Sequence, residues 1–230
     1  MTYESGKVHA LIPARGGSKG ILRKNLQKVN GVPLVGLKIQ QAIESVCDVV
    51  WVSTDDEEIA KTAGAYGANI VMRPQELALD TSSTESCISH FLDIQEIKDN
   101  DLVAVLQVTS PLIEVKSINE CILKVKESRS LNSSLTVRLA HPFIWECDSS
   151  LWKPVNHSRH FRPRRQDLPT QGYENGGCYL FRVEAFRSTG QRSPAPTIAV
   201  ATSYVESIDV DTLEDLELVE QLLSSRLKKI

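Results

Sequence analysis

Chemistry-bearing residues are densest in Ala14-Arg15-Gly16-Gly17-Ser18-Lys19-Gly20, which runs on to Arg23-Lys24-Asn25. Glycines let successive backbone N–H groups turn toward one anion. Arg15, Lys19, Arg23 and Lys24 place four cations within ten residues, a charge density that matches a triphosphate. The spacing is neither the GxxxxGK[S/T] of a P-loop nor the GxGxxG of a dinucleotide fold. The bland alternative is a flexible turn with solvated lysines. A second constellation is Ser207-Ile208-Asp209-Val210-Asp211-Thr212. In extended chain, residues i and i+2 face the same way, so Asp209 and Asp211 present two carboxylates to one point. Hard oxygen donors of this kind suit Mg²⁺ or another divalent cation such as Mn²⁺, completed by water and phosphate. Alternatively Asp211 caps a helix opening at Thr212, with Glu214 and Asp215 at its positive end.

Weaker signals follow. Arg159, Arg162, Arg164 and Arg165 put four arginines into seven residues, a carboxylate clamp, a nuclear-import signal or plain solvated surface. Gln107-Val108-Thr109-Ser110-Pro111 closes an apolar run, where α/β strands hand over to ligand clefts or simply turn into a helix. Arg73-Pro74 with Asp80-Thr81-Ser82-Ser83-Thr84 is a plain loop with a helix cap or an edge that reads a base. Tyr173-Glu174-Asn175-Gly176-Gly177 has the composition of a hairpin turn. None of the five histidines has triad partners at recognisable spacing.

The elements that must position these residues alternate in type. Val8–Ile12, Asp48–Ser53, Asn69–Met72 and Leu102–Val108 are continuous apolar runs bounded by turn residues. Helical spacing covers Pro33 to about Ser45, Glu57–Tyr66, Ser83 to about Gln95, and Val115–Glu127. Unalternating strands separated by helices predict a mainly parallel sheet with helices on both faces. After Leu135–Val137 the periodicity fails. His141–Gly172 carries Pro142, Pro154, Pro163 and Pro169, and reads as an arm, lid or oligomerisation element. Regular structure resumes with Cys178–Arg182, Ile198–Ala201 and a helix from Thr212 to about Leu227.

With 41% hydrophobic and 24% charged residues in a chain of 230, the composition is that of one soluble α/β domain. A net charge of −3 gives no global attraction for nucleic acid. The five cysteines form no zinc-ligand or disulfide pattern. No apolar run suggests membrane insertion. Met1–Lys7 lacks the core of a signal peptide, so a cytoplasmic or nuclear location is expected. The sequons at Asn132 and Asn156 matter if a missing leader sends the chain to the Golgi lumen.

Six of these motifs, in order, resemble the CMP-sialic acid synthetases (N-acylneuraminate cytidylyltransferases): Ile12–Ile21 with Lys24-Asn25, Trp51–Asp55, Gln107–Pro111, Arg162–Asp167, Tyr173–Gly176 and Asp209–Asp211. The arginine run and Tyr-Glu-Asn-Gly are similar to the animal branch. The resemblance implies a Rossmann-like nucleotidyltransferase fold as a single domain over 1–230, with 140–172 as an inserted dimerisation or lid segment, and a homodimer. It also implies CTP and a nine-carbon 2-keto sugar acid as substrates, and absence of the C-terminal phosphatase-like domain of vertebrate members. By position it implies catalytic roles for Arg15, Lys19, Lys24 and Asp211. Nucleotide contacts fall to Ala14, Arg15, Gly16, Gly17, Ser18, Lys19, Lys24, Asn25, Arg73 and Thr84. Sugar contacts fall to Gln107, Thr109, Ser110, Arg165, Tyr173, Asn175 and Gly176, and the metal to Asp209 and Asp211. Leu22 stands where many relatives have proline, which implies a less stiff loop. A sister cytidylyltransferase for KDO or another nonulosonic acid, or a silent nucleotide-binding module, is the alternative.

Overall fold

A computed structural model describes residues 6–161 and 163–227, without the side chains of Arg165, Arg226 and Leu227. The apolar strand β1 (Val8–Pro13) leads into the cationic loop. A 3-10 turn (Lys24–Leu26) and a small ribbon, β2 (Lys28–Val29) with β3 (Val32–Pro33), then deliver the chain to α1 (Leu34–Glu44). Strand and helix alternate through β4 (Val49–Thr54), α2 (Glu57–Ala65), β5 (Asn69–Met72), α3 (Thr84–Ile94), β6 (Leu102–Val105) and α4 (Val115–Lys126). Two of these helices start on side-chain caps. Asp56 accepts the N–H groups of Glu58 and Ile59, and Ser83 that of Ser86, meeting amides that otherwise have no partner.

The second half comprises β7 (Ser133–Ala140), the hairpin of β8 (Trp145–Asp148) and β9 (Leu151–Pro154), β10 (Gln171–Arg182), α5 (Val183–Thr189), β11 (Thr197–Thr202) and α6 (Leu213–Leu227). Seven strands form the main sheet in the order β11-β7-β10-β6-β1-β4-β5. β10 is antiparallel to both neighbours, and the other pairs are parallel. Both faces are covered, as the unalternating runs require. On one, Val8, Ala10 and Ile12 of β1 pack with Leu34 and Ile39 of α1, Ile59 of α2, Ile118 of α4 and Val219 of α6. On the other, Leu11 packs with Ile88 and Phe91 of α3 and Phe186 of α5. The mainly parallel α/β architecture expected from the sequence is therefore present.

Several local expectations need correcting. β6 ends at Val105 rather than Val108, because the Gln107 N–H bonds to Gly176 O (3.3 Å) and the Ser110 N–H folds back to Gln107 O (3.3 Å). Tyr173–Gly177 is not a hairpin turn but part of β10, whose register shifts between Glu174 and Tyr179. The irregular excursion after residue 140 contains the β8–β9 hairpin and a 3-10 turn at Arg165–Asp167. No helix among the described residues is long and apolar enough to cross a membrane.

Candidate active site

Because β1, β4 and β6 are parallel, the loops leaving their carboxyl ends gather at one sheet edge, where open α/β sheets form ligand crevices. A cleft of about 450 Å³ opens there. Arg15, Ser18, Lys19, Lys24 and Asn25 line it from the loop after β1. Arg73 and Thr84 line the opposite wall, Gln107 and Thr109 come from the end of β6, and Asp211 comes from just before α6.

The loop is tied down by its own backbone. Ala14 is fully buried, with its N–H on Ser53 O at 2.9 Å. Asn25, also buried, donates Nδ2–H to Arg15 O at 2.8 Å and closes the loop on itself. Gly16 gives its N–H to Asp55 Oδ1 at 3.0 Å, so that amide is already committed rather than aimed at an anion. A Cβ there would lie 2.9 Å from the Asp56 Cβ. Gly17 is exposed and does not line the cleft. Arg23 departs from the expected cationic cluster. Its backbone is left-handed (φ 52°), and its guanidinium pairs with Asp56 (3.1 Å) and Glu58 (2.9 Å), outside the cleft lining. Arg15 and Lys19 both pair with Asp80, at 2.8 and 2.9 Å. Arg73 is buried, and its Nε has no hydrogen-bond partner. A buried donor in that state calls for an acceptor from whatever enters the cleft.

The carboxylate pair meets the loop although 187 positions separate Lys24 from Asp211. Lys24 Nζ donates to Val210 O at 2.9 Å and pairs with Asp211 Oδ1 at 3.0 Å. The Val210 N–H bonds Thr109 O at 2.8 Å, which anchors the segment to the end of β6. Burial pushes the Asp209 carboxyl up and Asp211's charge adds to this, while Thr109, Ser110 and Lys24 oppose it. Capping does not occupy Asp211. Instead Thr212 and Asp215 cap α6 reciprocally, with Thr212 N–H to Asp215 Oδ2 at 2.8 Å and Asp215 N–H to Thr212 Oγ1 at 3.2 Å. Among the described residues no group of three or more His, Cys, Asp or Glu side chains forms a metal cluster. Asp211 lines the cleft, whereas Asp209 lies outside its lining, with Ser110 Oγ 3.4 Å from Asp209 Oδ1. One carboxylate at the cleft with a second close behind it still fits Mg²⁺, which takes one or two protein carboxylates and completes its shell with phosphate and water.

Of the residues expected to contact a sugar, the structure brings some together and engages others. Ser110 Oγ donates to Asn175 O at 2.7 Å and lies 3.4 Å from Asp209 Oδ1. The Asn175 side chain is buried and used by Thr136 Oγ1 (2.6 Å), Gly177 N (3.2 Å) and Thr202 Oγ1 (2.7 Å), so it acts as a strut. Gly176 has φ 70°, and a Cβ there would meet Gln107 Oε1 and Ser110 Oγ. Tyr173 does not line the cleft, and its ring lies 5.0 Å from the Arg138 guanidinium. The Arg165 side chain and Arg162 lie outside the described residues, and Arg164 pairs with Asp167 at 2.7 Å.

Lys38 escapes a reading of motifs. It is fully buried on α1 and donates from Nζ to Ser110 O at 2.8 Å. One turn later Gln41 Nε2 donates to Pro111 O (2.7 Å) and Ile113 O (2.8 Å), so α1 holds this loop by its carbonyls. Burial lowers the Lys38 ammonium to about 7, against weaker opposing effects of Cys178 and Asp209. Its sequence signal is position: three residues after Val35 and four after Leu34, it falls on the helix's apolar face.

The cytidylyltransferase family model matches residues 9–187. N-acylneuraminate cytidylyltransferase B of Danio rerio is 36% identical over 228 residues, 94% of this chain and 52% of that relative. Pseudaminic acid cytidylyltransferase of Campylobacter jejuni is 30% identical over 225 residues, covering 92% of this chain and 94% of its own. The chain thus spans about half the length of the N-acylneuraminate relative and nearly all of the pseudaminic acid one. Among solved structures, a CMP:2-keto-3-deoxy-manno-octonic acid synthetase complexed with CTP superposes with TM-score 0.71 at 18% identity, over 96% of this chain and 100% of that one. At that identity the likeness is one of fold.

Proposed function

Since this chain belongs to the cytidylyltransferase family, we propose that it transfers CMP from CTP to the anomeric hydroxyl of a sialic acid, N-acetylneuraminate or KDN, releasing pyrophosphate. One observation carries the reading: a cationic loop and the Asp209–Asp211 segment, distant in sequence, meet at one cleft through the Lys24–Asp211 contact, with Asp211 in the cleft lining. A mere nucleotide binder has less need of the second half. The choice of sugar rests on the similarity to the Danio rerio enzyme.

In this mechanism the anomeric hydroxyl releases its proton to solvent as its oxygen bonds to the α-phosphorus, and the bond from that phosphorus to the α–β bridging oxygen breaks, with pyrophosphate leaving. Such chemistry needs positioning and charge neutralisation rather than a covalent nucleophile. Arg15, Lys19 and Lys24 hold the phosphates, Arg73 and Thr84 face the base, and Gln107 faces the sugar. Asp209 and Asp211 would hold Mg²⁺, which supplies charge neutralisation on the phosphate oxygens. The protein would work as a homodimer, a reading supported by Leu151 and Trp152 of the β8–β9 hairpin, which are 77% and 58% exposed.

Incubation with CTP, Mg²⁺ and, separately, N-acetylneuraminate, KDN, KDO and pseudaminic acid tests the proposal. CMP-sugar and pyrophosphate are expected from the first two. Conversion of KDO or pseudaminic acid alone would overturn the sugar assignment, and no pyrophosphate with any of them would overturn the activity. Undiminished turnover in Asp209→Ala would remove the metal role.

A further inference from the structure

The two loop cations nearest the cleft's far wall share one counter-ion. Asp80 Oδ1 lies 2.8 Å from Arg15 Nη2, and Asp80 Oδ2 lies 2.9 Å from Lys19 Nζ. Each carboxylate oxygen takes one cation, as two oxygens of a phosphate would. Arg15 Nη1 also donates to the neighbouring Leu79 O at 3.0 Å. Arg15, Lys19, Leu79 and Asp80 all line the same cleft, so a triphosphate on this loop and Asp80 compete for the same donors.

A contrast within the loop shows that Asp80 is suited to yield. Asp56, which holds Arg23, also caps α2 through the N–H groups of Glu58 and Ile59, so removing it from Arg23 would disturb a helix. Among the described residues Asp80 bonds only to Arg15 and Lys19. Its side chain is 43% exposed and that of Lys19 78%, and ion pairs so open to water are weak enough to exchange. The Lys19 hydrogen bond, helped by Arg15, keeps the Asp80 carboxyl below its usual range despite some desolvation. The carboxylate thus stays charged and able to return. We propose that Asp80 is an internal competitor for the phosphate subsite: it holds Arg15 and Lys19 in place, yields them to a polyphosphate, and takes them back as pyrophosphate leaves. This rests on the reading of the cleft as a triphosphate site and adds to it a residue that sets affinity and product release.

The test is calorimetric titration of the whole chain and its Asp80→Asn variant with CTP and with inorganic pyrophosphate, beside steady-state kinetics. Asp80→Asn should bind both ligands about fivefold more tightly, the scale of an exposed ion pair that no longer has to be broken. Inhibition by pyrophosphate should strengthen by a similar factor, while KM for the sugar acid stays unchanged. A staple that merely orients the two cations predicts the opposite sign. Weaker or unchanged binding in Asp80→Asn would therefore overturn the proposal. Failure of the unaltered chain to bind either CTP or pyrophosphate would instead overturn the triphosphate reading beneath it.

Discussion

Replacing Lys38 by methionine should make the protein more stable at neutral pH and less stable in alkali. Lys38 is fully buried, and desolvation lowers its ammonium from 10.5 to about 7. A difference of one pKa unit between folded and unfolded chain is worth about 1.4 kcal/mol. At pH 7 the unfolded chain carries this lysine protonated, while the folded chain must either bury the charge or give up the proton. With the folded value at about 7, folding therefore costs about 4 kcal/mol on account of this group. Between pH 7 and 10.5 the unfolded state binds more protons, so this cost fades and stability rises with pH across that window. Methionine has similar length and no charge. It removes the cost but leaves the Ser110 carbonyl without its donor, a loss of roughly 1–3 kcal/mol. The net expectation is a gain of roughly 1–3 kcal/mol at pH 7 that turns into a loss by about pH 10. Urea unfolding of both proteins at several pH values measures the difference, in which titrating groups common to both cancel. Activity should fall even where stability rises, because Ser110 contacts Asp209 and Asn175. A Met variant destabilised at pH 7, with a pH profile parallel to that of the parent, would refute the reasoning and mean that Lys38 is buried charged and well paired.

Gly176→Ala should cost ~1–3 kcal/mol and raise KM for the sugar acid, since φ 70° and contacts with Gln107 and Ser110 leave no room for a methyl group; thermal unfolding and kinetics measure both. Glu206 is buried, which alone would raise its carboxyl, but bonds from Ser117, Ser203 and Glu114 together hold it below its usual range. Its contribution to stability is therefore complete above the unfolded value of 4.5 and is lost as pH falls through the folded value. Glu206→Gln should lower stability at pH 7 and flatten the acid limb of a stability–pH curve below 4.5.

Burial decided which elements were legible in the sequence. β5 occupies Asn69–Met72, as its apolar run implies, and α1 to α4 lie within a residue or two of their helical spacing. Each is pressed against a core, and the core writes the pattern. The β8–β9 hairpin left no such trace, because nearly all of its residues are exposed and neither face alternates. β10 was hidden for a different reason. Gly176 and Gly177 look like a turn, yet both are buried within the strand. Glycine is needed there because Gln107 and Ser110 press against position 176, and Ile113 and Thr136 against position 177. A close approach and a turn ask for the same residue, and composition alone does not separate them.

The charged groups of the site illustrate a deeper limit. A count along the chain finds four cations in the loop, and the structure leaves three of them lining the cleft. Whether a cation can serve a ligand depends on what else its counter-ion does. Arg23 is held by Asp56, which has a helix to cap. Arg15 and Lys19 are held by Asp80, which bonds to nothing else among the described residues. Lys24 is shared between the Val210 carbonyl and Asp211, and so ties the loop to the carboxylate pair. These commitments span from 33 positions (Arg23 to Asp56) to 187 (Lys24 to Asp211), and no local motif encodes them. Lys38 extends the point: its spacing from Leu34 and Val35 puts it on the apolar face of α1, but only the fold supplies the Ser110 carbonyl that its ammonium meets there. The loop's chemistry therefore belongs as much to the acids that face it as to the lysines and arginines that define it.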